Sequence, residues 1–233
     1  MKKYLTAEWR DLVMVNYEVD AGLLSQRIPA GTDLDLNEGK CFVSLVGFMF
    51  LDTRVYGIRI PFHVNFEEVN LRFYVVRRVR SEVRRGVVFI KEIVPKLAIS
   101  LIARLLYDEP YETATMTNSR DRSHIKYTWQ KGRTLNSLGV GCGETLGVPA
   151  IGSHEEFIIE HYWGYTRRGE TRTDEYKVEH PKWELYYALE PKINVDFGTL
   201  YGEEFSHLAS DKPYSVVLAA GSEIAVYRGE QII

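Results

Sequence analysis

The feature that most limits the possible folds is a succession of β-branched and aromatic runs, each closed by a turn signal. Val, Ile, Tyr, Phe and Trp suit a pleated, half-buried surface, because their branched or planar side chains pack across neighbouring strands. The runs Leu12–Tyr17, Lys40–Leu51, Phe66–Val79, Val87–Val94, His124–Trp129, Glu160–Tyr165, Tyr176–Glu179, Trp183–Leu189 and Ser215–Leu218 read as strands. Asn37-Glu38-Gly39, Arg84-Arg85-Gly86, Arg168-Gly169-Glu170 and Gly229 punctuate them. A hairpin turn is expected at Glu82–Gly86. Helical signals are few. Asp20 is placed to cap a short helix over Ala21–Arg27, and Pro95 to open one over Pro95–Tyr107. Ser153 with Glu156 reads as a capping box for a helix through Glu160. The glycine-rich stretch from Gly139 to Gly152 reads as a surface excursion. The expectation is one mainly β domain over residues 1–233, with a few short helices. Its antiparallel sheet is expected to close into a barrel, because closure removes exposed edges.

Composition narrows the function classes. There are 29 Lys and Arg against 32 Asp and Glu, a net charge of -3, which argues against a nucleic-acid partner. No apolar run approaches the ~20 residues of a membrane-spanning helix, so no membrane partner is expected. Glu8, Trp9 and Arg10 interrupt the N-terminus where a signal peptide needs an apolar core, and a cytoplasmic location is expected. Cys41 and Cys142 form no Cys-x-x-Cys pair and read as buried thiols. The six histidines show no metal-ligand spacing, so no metal is expected. Gly139-Val140-Gly141 does not complete a dinucleotide fingerprint, and no Gly-x-Ser-x-Gly elbow occurs. No cofactor is expected. A homo-oligomer is compatible with the sequence.

Polar residues inside the strand runs are the candidates for chemistry. Adjacent strand residues face opposite sides, so Glu67 and Glu68 diverge, and Glu68, Asn70 and Arg72 share one face. That trio suits recognition of a polar head group inside a barrel, or a satisfied structural network. His63, between Phe62 and Val64, is a further ligand-binding candidate or part of a polar junction. Tyr162-Trp163-Gly164-Tyr165 and Trp183–Tyr187 alternate as barrel-wall residues do and would favour a partly apolar ligand. Arg77, Arg78, Arg80, Arg84 and Arg85 read as a phosphate site or a solvated hairpin tip.

Several ordered stretches resemble the YqjF-like family of uncharacterised bacterial proteins. They include Trp9-Arg10, Ile28–Asp35, Phe42–Phe48, Ile60-Pro61-Phe62-His63, Phe66–Val75, Gly86–Phe89 and Ala103–Tyr107. Pro110-Tyr111, Glu155-Glu156-Phe157, His161-Tyr162 and His180–Trp183 continue the series. The resemblance implies the acetoacetate decarboxylase-like fold, a mainly antiparallel closed barrel. It implies no established activity.

The named enzyme of that fold is a Schiff-base decarboxylase with an aromatic-x-Glu motif and a later Glu…Pro-Lys-Lys motif. Here Phe66-Glu67-Glu68 and Glu92-Ile93-Val94-Pro95-Lys96 are similar to those motifs. By that resemblance Lys96 would be the nucleophile, with Glu68 and Glu92 as site carboxylates. Leu97 stands where the second lysine would be, and the spacing from Glu92 to Pro95 is shorter. A Schiff-base lysine must be neutral to attack, and a neighbouring cation is one way to achieve that.

The leading reading is an uncharacterised protein binding a small, partly apolar molecule in a barrel cavity. A keto-acid or carbonyl enzyme acting through Lys96 is the alternative. A regulatory or interaction protein, with the barrel as scaffold, is the third reading.

Overall fold

The computed structural model describes residues 2–95, 110–121 and 123–233. The helix expected over Pro95–Tyr107, with Lys96, lies outside the described residues apart from Pro95 itself. Strand runs give β1 (Lys3–Val19), β2 (Asp33–Leu34), β3 (Cys41–Val55), β4 (Ile58–Arg59), β5 (Phe66–Val79) and β6 (Glu82–Val94). There follow β7 (Tyr111–Thr113), β8 (Thr115–Arg120), β9 (His124–Lys131), β10 (Thr134–Gly147) and β11 (Trp163–Arg168). Last come β12 (Arg172–Glu179), β13 (Leu185–Asn194), β14 (Ser215–Tyr227) and β15 (Glu230–Gln231). The fold is mainly β, as expected.

These strands form one sheet, ordered β15-β12-β11-β6-β5-β3-β1-β14-β13-β10-β9-β8. The short β2, β4 and β7 pair at the sides of β5, β3 and β6. In addition β12 pairs with β14, through Val178↔Val226 and Glu179↔Ala225. Strands β12, β11, β6, β5, β3, β1 and β14 thus follow one another in a circuit of pairings. Among the described residues no helix is long and apolar enough to cross a membrane.

The period-two alternation of side chains sorts the buried residues into two cores. Outward-facing Val13, Val15, Leu45, Val69, Leu71 and Phe73 pack with Tyr127, Trp129, Leu138 and Val140 of β9 and β10. Inward-facing Leu12, Met14, Val46, Phe48, Phe50, Tyr74, Val87 and Val226 form the second core. Two bulges adjust which residues face in. Asp11 takes a left-handed φ of 57°, and the β1–β3 register slips between Arg10 and Val13. Trp9 and Leu12 consequently both face inward. On β6, Leu71 pairs with Lys91 but Arg72 pairs with Phe89, so Ile90 is the extra residue. Phe89 and Glu92 therefore both point inward, whereas strict alternation from Phe89 would bring in Lys91.

Several local expectations need correction. Gly139–Gly143 lies within β10, paired to β9 and β13, and is not a surface excursion. Its glycines allow close strand approach: a Cβ on Gly143 would sit 2.8 Å from Cβ of Tyr187. The β5–β6 turn falls at Arg80 and Ser81 rather than Glu82–Gly86, and Arg80 has φ 53°. Aromatic alternation also divides differently: Trp163 lines the interior, Tyr165 joins the outer core and Tyr187 is exposed. The helix His154–Ile159 is capped by Ser153, which accepts from the backbone N–H of Glu156 at 3.1 Å. Glu156 reaches back to the N–H of Gly152. Ala21–Arg27 is a 3₁₀ helix, with Asp20 accepting from Gly22. The helix Phe197–Tyr201 and the 3₁₀ helix Glu203–Ala209 carried no signal that was read in the sequence.

The arginine-rich hairpin is largely spent on internal pairing. Arg77 and Arg84 hold the fully buried Glu175 at 2.9 and 2.6 Å. Arg78 pairs with Asp33 at 3.2 Å and Arg85 with Asp35 at 2.6 Å. Cys41 is buried and Cys142 half-buried; both are free thiols, and burial pushes the Cys41 thiol up to about 11.

Candidate functional site

The interior of the strand circuit holds a cavity of about 90 Å³. Every strand of the circuit contributes to its wall: Trp9 from β1, Phe48 from β3, Glu68 from β5, Glu92 from β6, Trp163 from β11, Tyr176 from β12 and Val226 from β14. One side is aromatic. The ring of Trp9 meets Phe48 edge-on at 5.4 Å and Phe50 at 5.8 Å, and Phe50 stacks on Phe66 at 4.7 Å. Gly164 leaves room for the wall opposite. It pairs with Tyr176, and a Cβ on Gly164 would lie within 2.1 Å of that phenol ring.

The polar side of the cavity comes from neighbouring positions on β5 and β6. Glu68, Asn70 and Arg72 occupy the inward face of β5, and Glu92 sits directly across from Asn70 on β6. Glu68, Asn70 and Glu92 are only 2%, 1% and 2% exposed. Asn70 donates Nδ2–H to Oε1 of Glu68 at 2.9 Å. Arg72 donates Nη2–H to the carbonyl of Ile158 at 3.4 Å, and its guanidinium lies 5.7 Å from the ring centroid of Tyr74. Four of the sequence-derived candidates thus meet in one place. His63 does not: it lies on the loop between β4 and β5, with Nδ1 2.8 Å from the carbonyl of Pro61. Lys96 lies outside the described residues.

His161 also lines the cavity, ahead of β11. Its side chain is 1% exposed, and Nε2 lies 3.2 Å from Oδ2 of Asp35. Burial pushes the imidazole down to about 4; the Asp35 bond opposes this, and the charge of Arg85 adds to it. Burial tends to raise the Asp35 carboxyl, but the hydrogen bonds from His161 and Arg85 outweigh it and hold the group below its ordinary value. The pairing joins residues 126 positions apart, so no local sequence pattern marks it. Trp9, Tyr111, Trp163 and Tyr176 are further lining residues that were not singled out as site residues.

Four buried polar atoms of this wall have no hydrogen-bond partner among the described residues: Trp9 Nε1, Asn70 Oδ1, Arg72 Nε and His161 Nδ1. Two are donors. Asn70 Oδ1 is an acceptor, and so is the nitrogen of a neutral imidazole that carries no proton. Among the described residues no group of three or more His, Cys, Asp and Glu side chains is placed to hold a metal ion.

Comparison with known proteins agrees with this architecture. The chain is 28% identical over 193 residues to the uncharacterized protein YqjF of Bacillus subtilis (strain 168), spanning 81% of this chain and 77% of that one. The acetoacetate decarboxylase of Legionella pneumophila superposes with a TM-score of 0.69 at 12% identity, covering 100% of this chain and 88% of the enzyme. The enduracididine biosynthesis enzyme MppR, complexed with pyruvate, gives 0.69 at 11% identity, covering 100% and 91%. At such low identity these two show a shared fold, not a shared activity. A model of the DUF2071 family, described as an uncharacterized conserved protein, matches residues 6–223, and the chain belongs to that family.

Proposed function

We propose that the protein binds a small, partly apolar organic acid inside the strand circuit, which acts as a closed barrel. The β12–β14 pairing supports closure, because it joins the two ends of the seven-strand path. One observation carries the binding reading: Trp9 Nε1, Asn70 Oδ1, Arg72 Nε and His161 Nδ1 are unpartnered atoms of four residues that line one cavity. Buried polar groups are normally hydrogen-bonded, so four such atoms on residues around one cavity mark a surface shaped for a polar guest. Arg72 and Trp9 supply donors for a carboxylate, and Phe48, Phe50 and Val87 supply apolar contact for a short carbon chain. The volume of about 90 Å³ lies below the roughly 300–1,000 Å³ of drug-sized pockets, which limits the guest to a small metabolite. The fold neighbour MppR, complexed with pyruvate, an acid of that size, supports the reading.

Calorimetric titration with pyruvate- and lactate-sized acids tests the reading. The expected outcome is saturable binding to the wild type. In Arg72→Met the affinity should fall about tenfold or more, since a hydrogen bond to a charged group contributes about 1.5–3 kcal/mol. Binding of none of these acids, or equal binding by the variant, would remove Arg72 as the anchor.

A second reading rests on the carboxylates that the resemblance assigns to Schiff-base chemistry. Glu92 lies across from Asn70, which is bonded to Glu68, so both line one wall. In that reading the neutral amine of Lys96 condenses with a substrate carbonyl and releases water. Intact-mass measurement after incubation with keto acids and cyanoborohydride tests it. A substrate-sized adduct in the wild type that is lost in Lys96→Met supports it. Equal labelling of both proteins rejects it.

A further inference from the structure

We infer that His161, held by Asp35, is a fixed hydrogen-bond acceptor of the cavity that selects a small 2-hydroxy acid over the matching keto acid. The inference rests on the organic-acid reading above. Three residues bound the imidazole. Asp35 approaches Nε2 at 3.2 Å, and the same carboxylate oxygen accepts from Nε of Arg85 at 2.6 Å. The ring of Tyr74 lies 4.6 Å away, and Phe157 packs edge-on at 5.4 Å. Asp35 is itself fixed, because its backbone N–H donates to the carbonyl of Tyr74 at 3.0 Å.

These contacts determine the tautomer. Burial of the ring, with Arg85 and Arg72 nearby, keeps the imidazole neutral. A neutral imidazole carries one N–H and one bare nitrogen. The Asp35 carboxylate only accepts, so the N–H sits on Nε2 and the lone pair on Nδ1. Nδ1 has no partner among the described residues, and His161 lines the cavity. Asn70 Oδ1 is a second acceptor on the same wall.

A keto acid at neutral pH offers acceptors alone. It satisfies the donors of Arg72 and Trp9 and leaves both acceptors buried and unmatched. A 2-hydroxy acid presents the same carboxylate and adds one O–H donor. A site built to bond a substrate hydroxyl strongly rejects the analogue that lacks it, because the site's own polar atom is then stranded. Asp35 acts only through His161 and is a positioning residue.

The test is calorimetric titration of wild type with D-lactate, L-lactate and pyruvate, alongside imidazole ¹⁵N spectra. One lactate enantiomer is expected to bind at least tenfold tighter than pyruvate. The His161 resonances should report an Nε2–H tautomer, and Nδ1 should shift when lactate is added. Asp35→Asn should mix the tautomers and shrink the lactate-to-pyruvate ratio. Equal affinities, a preference for pyruvate, or an Nδ1–H tautomer in the wild type would overturn the inference while leaving the organic-acid reading in place. Failure of all three acids to bind would overturn both. The wild-type ratio and spectrum decide the matter even if the variant folds poorly.

Discussion

The two faces of β5 differ sharply. Val69, Leu71, Phe73 and Val75 face the outer core, and each is fully buried among apolar neighbours. Glu68, Asn70 and Arg72 face the cavity, one residue away along the same backbone. Both faces are largely dry. Burying a polar group costs free energy unless it is hydrogen-bonded, whereas burying Leu or Phe is favourable. The outer face thus holds the layers together, and the inner face has given up part of that stabilisation to keep polar groups around a space. Differences of this kind are expected at functional sites, where local stability rules are broken for chemistry.

The comparison is most easily broken by Leu71→Ala. Leu71 is fully buried between β5 and the β9–β10 layer, so the change should cost about 2–5 kcal/mol in urea unfolding. A loss as small as that of an exposed site would mean that the outer core does not carry the fold. Next in size is the effect of acid. The pKa of His161 is lowered from 6.5 to about 4 in the folded state, so the unfolded chain takes up the proton first as pH falls. Stability should be level above pH 6.5, fall between 6.5 and 4, and lose roughly 3 kcal/mol at most from this group. His161→Gln should flatten that slope. An unchanged slope in the variant would place the acid sensitivity elsewhere. The smallest expected effect is that of Arg72→Met on stability, within about 1 kcal/mol, because the side chain is half-buried and its bonds to the Ile158 carbonyl and the Met14 sulfur are both long. If this variant unfolds as readily as Leu71→Ala, Arg72 is structural, and the contrast between the faces fails.

Much of this contrast was legible in the sequence. The bounds of Phe66–Val79 and the shared face of Glu68, Asn70 and Arg72 follow from period-two alternation. Alternation alone does not say which face lines a cavity; that depends on how β5 pairs with β3 and β6. Glu92 was indicated by the motif, but its inward direction depends on Ile90, and a bulge leaves no mark in a hydrophobic pattern. The Asp35–His161 pair was not read, because only the folded chain brings those residues together. His63 differs for the opposite reason: between Phe62 and Val64 it read as a cavity or polar-junction residue, yet it lies on a loop where Phe62 is 88% exposed. The glycines of β10 were misleading because residues typical of turns serve equally well where two strands crowd together.

The extra residue at Ile90 has a consequence for how such a protein could change. Upstream of it, Phe89 is inward; downstream, the phase is reversed and a carboxylate replaces an amine on the inner wall. Excision of that single codon would restore unbroken alternation and leave Phe89 and Glu92 both inward, whereas drawing Ile90 into the regular pleat would turn Lys91 inward and Glu92 outward. In the flattened strand an amine would replace a carboxylate at that point of the wall without any substitution. A lineage could thus move between acidic and basic interiors by keeping or flattening one bulge, a route that counting amino-acid replacements alone would overlook.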